Sequence, residues 1–542
     1  MQKRRTWKAR AVVKASLLVF LIIAVLAPLI CLLFSIGSVD VGGIVGSRQF
    51  LESLKNSVLV TLTATAVSLV LALVLAWCIA RSGLRKKGFL SQLLSLPMLI
   101  PSISHGMGLI VLFGANGVLT NLLGLNTSIY GFWGIVIGSV MYSFPVAFLM
   151  LLDVFQYEDY TVYESAQVLG IPKIRQFLSI TLPYLRKPMI SVLFATFTLI
   201  FTDYGVPLMV GGKFMTLPVY MYNEVIGLMN FGKGAVVALF LLIPAVVAFL
   251  FDLFNKDSGN ASFTVKTFEI KKSRKRDFVC RVLVGVAIVL VLLPIVSFAL
   301  LTFVEKYPID MSLSLHNITQ AMDMGTGKYL VNSLIIAVLT AAAGTAIAYL
   351  NAYFAARGNG VLARSLHLGS ITTLAVPGIV LGLSYVMFFK GSFLYGTLAI
   401  LILVNTIHFF ASPYLMAYNA MHKLNPNLEA VAKTIGIPSW RLIKDVFIPQ
   451  TRDTMLEMFS YFFVNSMITI SAVSFLSTVK TMPVSMMITQ FEGQMLLECS
   501  AYISLLILTA NLVMKGIVHG MKRHRAAGRN GEEENGFEPK AI

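Results

Sequence analysis

Residues 164–183 read ESAQVLGIPKIRQFLSITLP, and residues 430–449 read AVAKTIGIPSWRLIKDVFIP. In each stretch a glycine (Gly170, Gly436) stands two residues before one proline (Pro172, Pro438) and thirteen before another (Pro183, Pro449). Glycine ends a helix by adopting a left-handed conformation, and proline suits the first turn of the helix that follows. Each stretch is therefore expected to form helix, tight turn and helix, a polar hairpin lying outside the membrane between long apolar segments. Ile171, Leu178 and Ile180 in the first copy, and Ile437, Ile443 and Phe447 in the second, are available for packing. Such a pair is either two plain connections or one docking device used twice. Ordinary connections are short and variable, so one pattern kept at two places favours docking.

The surrounding chain has 542 residues, 57% of them hydrophobic and 13% charged. Soluble domains carry about 25% charged residues. An apolar run of roughly 18 residues or more can cross a bilayer as a helix. The composition therefore implies an all-α, polytopic membrane protein. Six expected spans fall in the first half: Ala11 to Ile36, Ser57 to Ala80, Leu93 to Phe113, Phe132 to Leu152, Met189 to Met209 and Ala235 to Phe251. Six more follow: Val282 to Phe303, Ser333 to Ala355, Ser370 to Phe389, Leu394 to Met416, Met455 to Phe475 and Leu496 to Met514. The first run is too long for a signal core and no A-x-A site follows it, so it reads as a retained span.

A net charge of +18 could suggest nucleic acid, but Lys and Arg gather beside the apolar runs and form no basic domain. That distribution is the positive-inside pattern. Lys3, Arg4, Arg5, Lys8 and Arg10 place the N-terminus in the cytoplasm. The same side then receives Arg81, Arg85, Lys86 and Lys87, the loop with Lys173, Arg175, Arg186 and Lys187, the segment with Lys271, Lys272, Arg274, Lys275 and Arg276, and the tail with Lys522, Arg523, Arg525 and Arg529. Both termini are expected to be cytoplasmic.

Repeats organise the rest. Asn56-Ser57 recurs as Asn332-Ser333, Arg81 as Arg357 and Pro101 as Pro377, each 276 positions on. Pro28 and Pro294, like Gly170 and Gly436, differ by 266. The chain therefore divides into two homologous six-helix halves: 1–255 with a loop at 162–183, and 278–520 with a loop at 428–449. A basic linker, 256–277, joins them, and a polar tail occupies 521–542. An even number of spans per half makes the halves parallel.

With the duplicated loop in view, the chain resembles the fused inner-membrane permeases of binding-protein-dependent ABC importers of type I. Their EAA motif runs roughly EAA, three variable residues, Gly, then I-x-L-P. Glu164-Ser165-Ala166, Gly170 and Ile180-Thr181-Leu182-Pro183 match it. The second copy departs: Ala430-Val431-Ala432 replaces the opening triplet, Glu429 stands one residue early, and Phe447-Ile448-Pro449 closes it. The resemblance implies two copies of a cytoplasmic ABC ATPase, one for each loop, and an extracytoplasmic substrate-binding protein. ATP and Mg would be held by the ATPase, with no cofactor on this chain and no catalytic role for it. It further implies a bacterial inner membrane, with the lipid bilayer as solvent and no nucleic-acid partner. Fused permeases of this length resemble those for ferric iron, thiamine and 2-aminoethylphosphonate. The stretches DYGVP at 203–207 and NSMITISA at 465–472 look most like the phosphonate branch, then ferric iron.

The remaining residues carry less. Met324-Gly325-Thr326-Gly327-Lys328 lacks the early glycine and the final Ser/Thr of a P-loop. Asp203, deep in or at the outer end of the fifth span, either lines a pathway or caps a helix. The polar run 465–474, with Asn465, Thr469 and Ser471, either lines the same pathway or joins helices. His105 reads as a packing residue. Cys31, Cys78, Cys280 and Cys499 have no metal-ligand spacing. The alternative is a twelve-span secondary transporter of the major facilitator type. That family carries an acidic-basic glycine signature between its second and third spans, where this chain reads RSGLRKKG at 81–88.

Overall fold

The computed structural model describes residues 2–37, 39–124, 128–255, 268, 270 and 273–534. Much of the expected linker, Lys271 and Lys272 included, and the tail beyond Glu534 lie outside the described residues. The linker's last residues, Arg274 to Asp277, instead open the helix of span 7. The regular secondary structure of the described residues is helical apart from one antiparallel hairpin, Val304–Lys306 with Asp310–Leu313. That is what lipid requires, because a helix satisfies its own backbone polar groups.

Among the described residues, nine helices are long and apolar enough to cross a membrane, and two bent pairs raise the total to eleven. In chain order they are span 1 (Val12–Ile36), span 2 (Arg48–Arg81), span 3 (Ser102–Leu123), span 4 (Phe132–Gln156), span 5 (Lys173–Phe201) and span 6 (Phe231–Phe251). Span 7 (Arg274–Phe303), span 8 (Thr326–Ala356), the bent spans 9 (Val361–Ala375 with Gly378–Phe389) and 10 (Leu398–His408 with Ala411–His422), and span 12 (Leu497–His524) follow. The expected eleventh span, Met455 to Phe475, is a 17-residue helix, Arg452–Ile468, after which the chain leaves the helix at Thr469 and runs through turns.

Four further expected spans are interrupted, each with a local cause. Pro97 and Pro101 split the third, so that a short 3₁₀ turn, Leu96–Leu99, precedes the helix Ser102–Phe113. Pro377 bends span 9 by 109°. Pro413 lacks the N–H that would bond the carbonyl of Phe409, and span 10 bends there by 53°. Span 5 stops at Phe201, and Asp203 starts a new short helix, Gly205–Val210. Irregular backbone survives at membrane depth only where protein covers it. Ala472, Val473 and Leu476 after the break in span 11 are accordingly buried.

Spans 2 and 4 pack along each other in the first half, as spans 8 and 10 do in the second. The first span of each half crosses to the other half. Ala27–Ile36 lies on Gly378–Phe389, where the Tyr385 hydroxyl donates to the Ala24 carbonyl at 2.7 Å. Span 7 lies on Ser102–Phe113. The reciprocal exchange interlocks the halves into one continuous core.

The repeated Asn-Ser pairs are anchors. Ser57 Oγ accepts the Leu217 N–H at 2.6 Å, and Ser333 Oγ accepts the Val484 N–H at 2.7 Å. Asn56 Nδ2 donates to the Met215 carbonyl at 3.0 Å, and Asn332 Nδ2 to those of Lys480 and Met482 at 3.0 and 3.2 Å. Each pair ties the chain beyond a broken span back to its own half.

Candidate functional site: two matched loops on one face

Thr161–Val168 forms the first arm of loop one. It ends in a paired C-cap: Ile171 N–H bonds the Ala166 carbonyl and Gly170 N–H bonds that of Gln167, both at 3.0 Å. This geometry needs a left-handed residue, and Gly170 supplies it at φ +68°. Loop two repeats it. Leu428–Thr434 ends with Ile437 N–H on the Ala432 carbonyl at 2.8 Å, and Gly436 sits at φ +76°. Ala166 and Ala432 are buried beneath their caps.

Pro172 and Pro438 stand one position earlier than expected. They are the N-caps of Lys173–Gln176 and Ser439–Leu442, and their carbonyls accept from Gln176 and Leu442 at 3.0 and 3.2 Å. The second arm is not a separate hairpin limb either, because Lys173–Phe201 runs without a break into span 5. A five-residue π turn, Phe177–Thr181, precedes Leu182-Pro183, and another, Ile443–Phe447, precedes Ile448-Pro449. A wider turn accommodates a proline that has no N–H and crowds the carbonyl four residues back.

The corner of each loop is apolar and open. Val168, Leu169 and Ile174 are 88%, 75% and 76% exposed in loop one, and Ile435 and Trp440 are 65% and 61% exposed in loop two. Phe447 instead turns inward and is fully buried against Tyr353.

Arginines at the ends of spans 2 and 8 hold these loops. Span 2 ends at Arg81, one residue beyond the apolar run Ser57 to Ala80. There buried Arg81 pairs with buried Glu158, which also accepts from the Tyr163 hydroxyl. Tyr163 Oη lies 2.6 Å from Thr181 Oγ1. Burial, with Glu158 beside it, raises the Tyr163 phenol above its ordinary range, so it remains protonated and can donate. Phe268, from the segment joining the halves, stacks on this cluster with its centroid 3.4 Å from Arg81 Cζ. In the second half Arg357 grips Glu429 through Nε at 2.7 Å and Nη2 at 2.6 Å. It also donates to the carbonyls of Met421, Leu424 and Asn425 at 3.5, 3.3 and 2.7 Å.

Sequence reasoning noticed the two arginines as repeat markers, and Arg81 also as a cytoplasmic charge, and missed Glu158 and Tyr163. The signal was present in the spacing, since Tyr163 and Glu429 each stand seven residues before the loop glycine. Glu164 is half-buried in the first arm, and Ala430 at the matching position is exposed. Pro183 and Pro449 are exposed as well.

The residues read as a pathway fall at the breaks in the spans. The Asp203 carboxylate accepts the N–H groups of Gly205 and Val206 at 3.3 and 3.1 Å, so it caps a helix, and the Ser102 hydroxyl also reaches it. Thr469 is buried at the corresponding break of the second half, and its carbonyl accepts from Ser485 Oγ at 2.9 Å. Asn465 Nδ2 turns back to the Tyr461 carbonyl at 2.8 Å. Ser471 and His408 both face Gly378, where a Cβ would lie 2.6 and 2.7 Å from Oγ and Nε2. Tyr204 stacks on Tyr222 at 5.0 Å, and Tyr222 reaches Phe475 of the other half at 6.3 Å. The structure thus brings the two halves together near these breaks through Tyr222 and Phe475, without joining the four predicted residues in a single cluster. His105 is buried on span 3, with Nδ1 3.2 Å from the Pro101 carbonyl.

The family model described as "Binding-protein-dependent transport system inner membrane component" matches this chain twice, at residues 68–257 and 348–523. The chain belongs to that family. Each match contains one of the two loops, and the two together describe a fused double permease. Among similar proteins, the ferric transport system permease protein FbpB of Actinobacillus pleuropneumoniae is 23% identical over 81% of this chain and 66% of its own length. A putative ferric transport system permease protein FbpB 1 of Haemophilus influenzae is 24% identical over 73% of this chain and 66% of its own length. The molybdenum transport system permease protein ModB of Azotobacter vinelandii is 29% identical over 33% of this chain and 82% of its own length. The chain thus spans about two thirds of the length of the ferric permeases and aligns with the molybdenum permease over one third of itself.

Proposed function

We propose that this chain is the membrane permease of an ATP-driven importer. Its loop face is cytoplasmic, as are both termini, and each loop seats in one copy of a cytoplasmic ABC ATPase. The opposite face receives a substrate-binding protein. The chain forms the pathway and is not itself an enzyme, and ATP with its Mg stays on the ATPase. The observation that carries this reading is the pair of exposed apolar corners, built alike on capped turns in the two halves. Apolar side chains held open to water on rigid, capped turns mark contact surfaces. Closing of two ATPase subunits would draw the loops together and switch the bundle between inward- and outward-facing arrangements.

For the cargo, ferric iron is the best-supported choice, because the relatives similar over most of this chain are named as ferric transport permeases. Asp203, with the Tyr142 phenol nearby, offers hard oxygen donors suited to a cation rather than to an anion. The 203–207 and 465–472 stretches keep 2-aminoethylphosphonate as the second reading, ahead of thiamine. Uptake of radioactive iron, 2-aminoethylphosphonate and thiamine by cells expressing the complete system separates the three. Iron uptake that needs ATP is the expected result. Uptake that persists when ATP is depleted and the proton gradient is kept would exclude the importer and restore the secondary-transporter alternative.

A further inference from the structure

The chain itself links each loop to two spans, 4 and 5 in the first half and 10 and 11 in the second. Spans 2 and 8 have no such covalent link, although each packs closely on the other spans of its half. Their terminal arginines supply the missing connection. We propose that Arg81 and Arg357 are positioning residues that carry loop displacement into spans 2 and 8, through Glu429 directly in the second half and through Glu158 with Tyr163 in the first. The proposal rests on the loops being the ATPase contacts.

Three observations support it. Tyr163 and Glu429 hold the same place, seven residues before the loop glycine, so one structural position serves the matching arginine of each half, by way of Glu158 in the first and directly in the second. Both links are largely shielded from water: side-chain exposure is 7% and 3% for Arg81 and Glu158, and 8% and 25% for Arg357 and Glu429. An exposed pair slips and re-forms with little consequence, whereas a planar guanidinium fork held by a carboxylate and several carbonyls keeps its direction. Tyr163 also reaches Thr181 at the foot of span 5, so the first-half link ties span 2, the loop and span 5 at one point.

The test uses the full chain in proteoliposomes with its ATPase and binding protein, reading uptake and ATP hydrolysed per substrate moved. Glu158→Gln is expected to lower uptake about tenfold while hydrolysis continues, a coupling of ordinary size between sites. Adding Tyr163→Glu to that variant places a carboxylate where the second half has one, and uptake is expected to return to within about threefold of the unmodified protein. Tyr163→Phe keeps the packed ring and removes only the hydroxyl, and a raised ATP cost per substrate is expected from it alone. A double variant no better than Glu158→Gln, or a Tyr163→Phe protein with unchanged coupling, overturns the proposal. Unmodified protein without ATP-dependent uptake would instead sink the importer reading. Amide exchange on the chain alone then still decides: Glu158→Gln should speed exchange at 163–171 and leave 429–437 unchanged, and a rate at 163–171 equal to that of the unmodified chain refutes the link.

Discussion

Replacing Gly170 and Gly436 separates what the fold needs from what a partner needs. Both glycines sit at positive φ, +68° and +76°, and a Cβ built on either meets nothing within 4 Å. Substitution therefore costs only the left-handed backbone, about 1–2 kcal/mol for an L-residue whatever its size. One such penalty lowers the ratio of capped to uncapped loop roughly five- to thirtyfold. In a chain this long it shifts the thermal midpoint by less than about 2 °C. Alanine and tryptophan should thus destabilise the isolated permease equally. In the assembled system they should diverge, since an indole at the loop corner projects into the surface that Leu169 and Ile174, or Ile435 and Trp440, present. The assay is thermal unfolding of the detergent-solubilised chain beside ATP-driven uptake and co-purification of the ATPase. Gly170→Ala and Gly436→Ala should keep a reduced uptake, Gly170→Trp and Gly436→Trp should abolish it, and all four should insert normally. Full transport by the doubly tryptophan-substituted protein would defeat the assignment of these corners as contacts, as would unequal destabilisation of the isolated chain by alanine and tryptophan.

Arg357→Ala leaves Glu429 and three carbonyls without their donor, and because Glu429 keeps some water it should cost about 2–4 kcal/mol. Arg48→Ala, which breaks an exposed helical pair with Glu52, should cost under about 0.5 kcal/mol, and paired unfolding curves check the contrast. Ser57→Ala and Ser333→Ala each strand a buried backbone N–H and should cost about 1–3 kcal/mol, read as proteolytic sensitivity after Met215 or Met482. Gly344 packs on the ring of Phe462, with a Cβ falling 2.8 Å from Cζ, so Gly344→Val should separate spans 8 and 11 and lower the yield of folded protein in size-exclusion chromatography.

Much of the architecture was legible because membrane physics leaves few alternatives. Apolar runs must become helices, and equal offsets between Asn56-Ser57 and Asn332-Ser333 exposed the halves. The breaks were harder. Proline at 101, 377 and 413 marks where a hydrogen bond is lost, yet the same residue inside spans 4, 6 and 7 leaves those helices continuous. Whether a helix breaks at a proline depends on whether neighbours re-satisfy the freed carbonyl, and that information is not local. The eleventh span illustrates the other difficulty: the hydropathy of 455–475 is that of a span, but its last third is covered by protein and need not be helical.

The two loops show the same division most sharply. Sequence by itself determined their existence, their caps at Gly170 and Gly436 and their placement in matching positions, because left-handed glycine and proline's missing N–H are properties of single residues. Only the tertiary structure decided which acid meets which arginine. The sequence set Ala430 against Glu164, with Glu429 one residue early, whereas in space Glu158 makes the first-half pair and Tyr163 occupies the position of Glu429. An ion pair depends on where two elements come together in space, here the end of span 2 and the start of the loop 77 positions later, and no spacing rule along one helix can supply it.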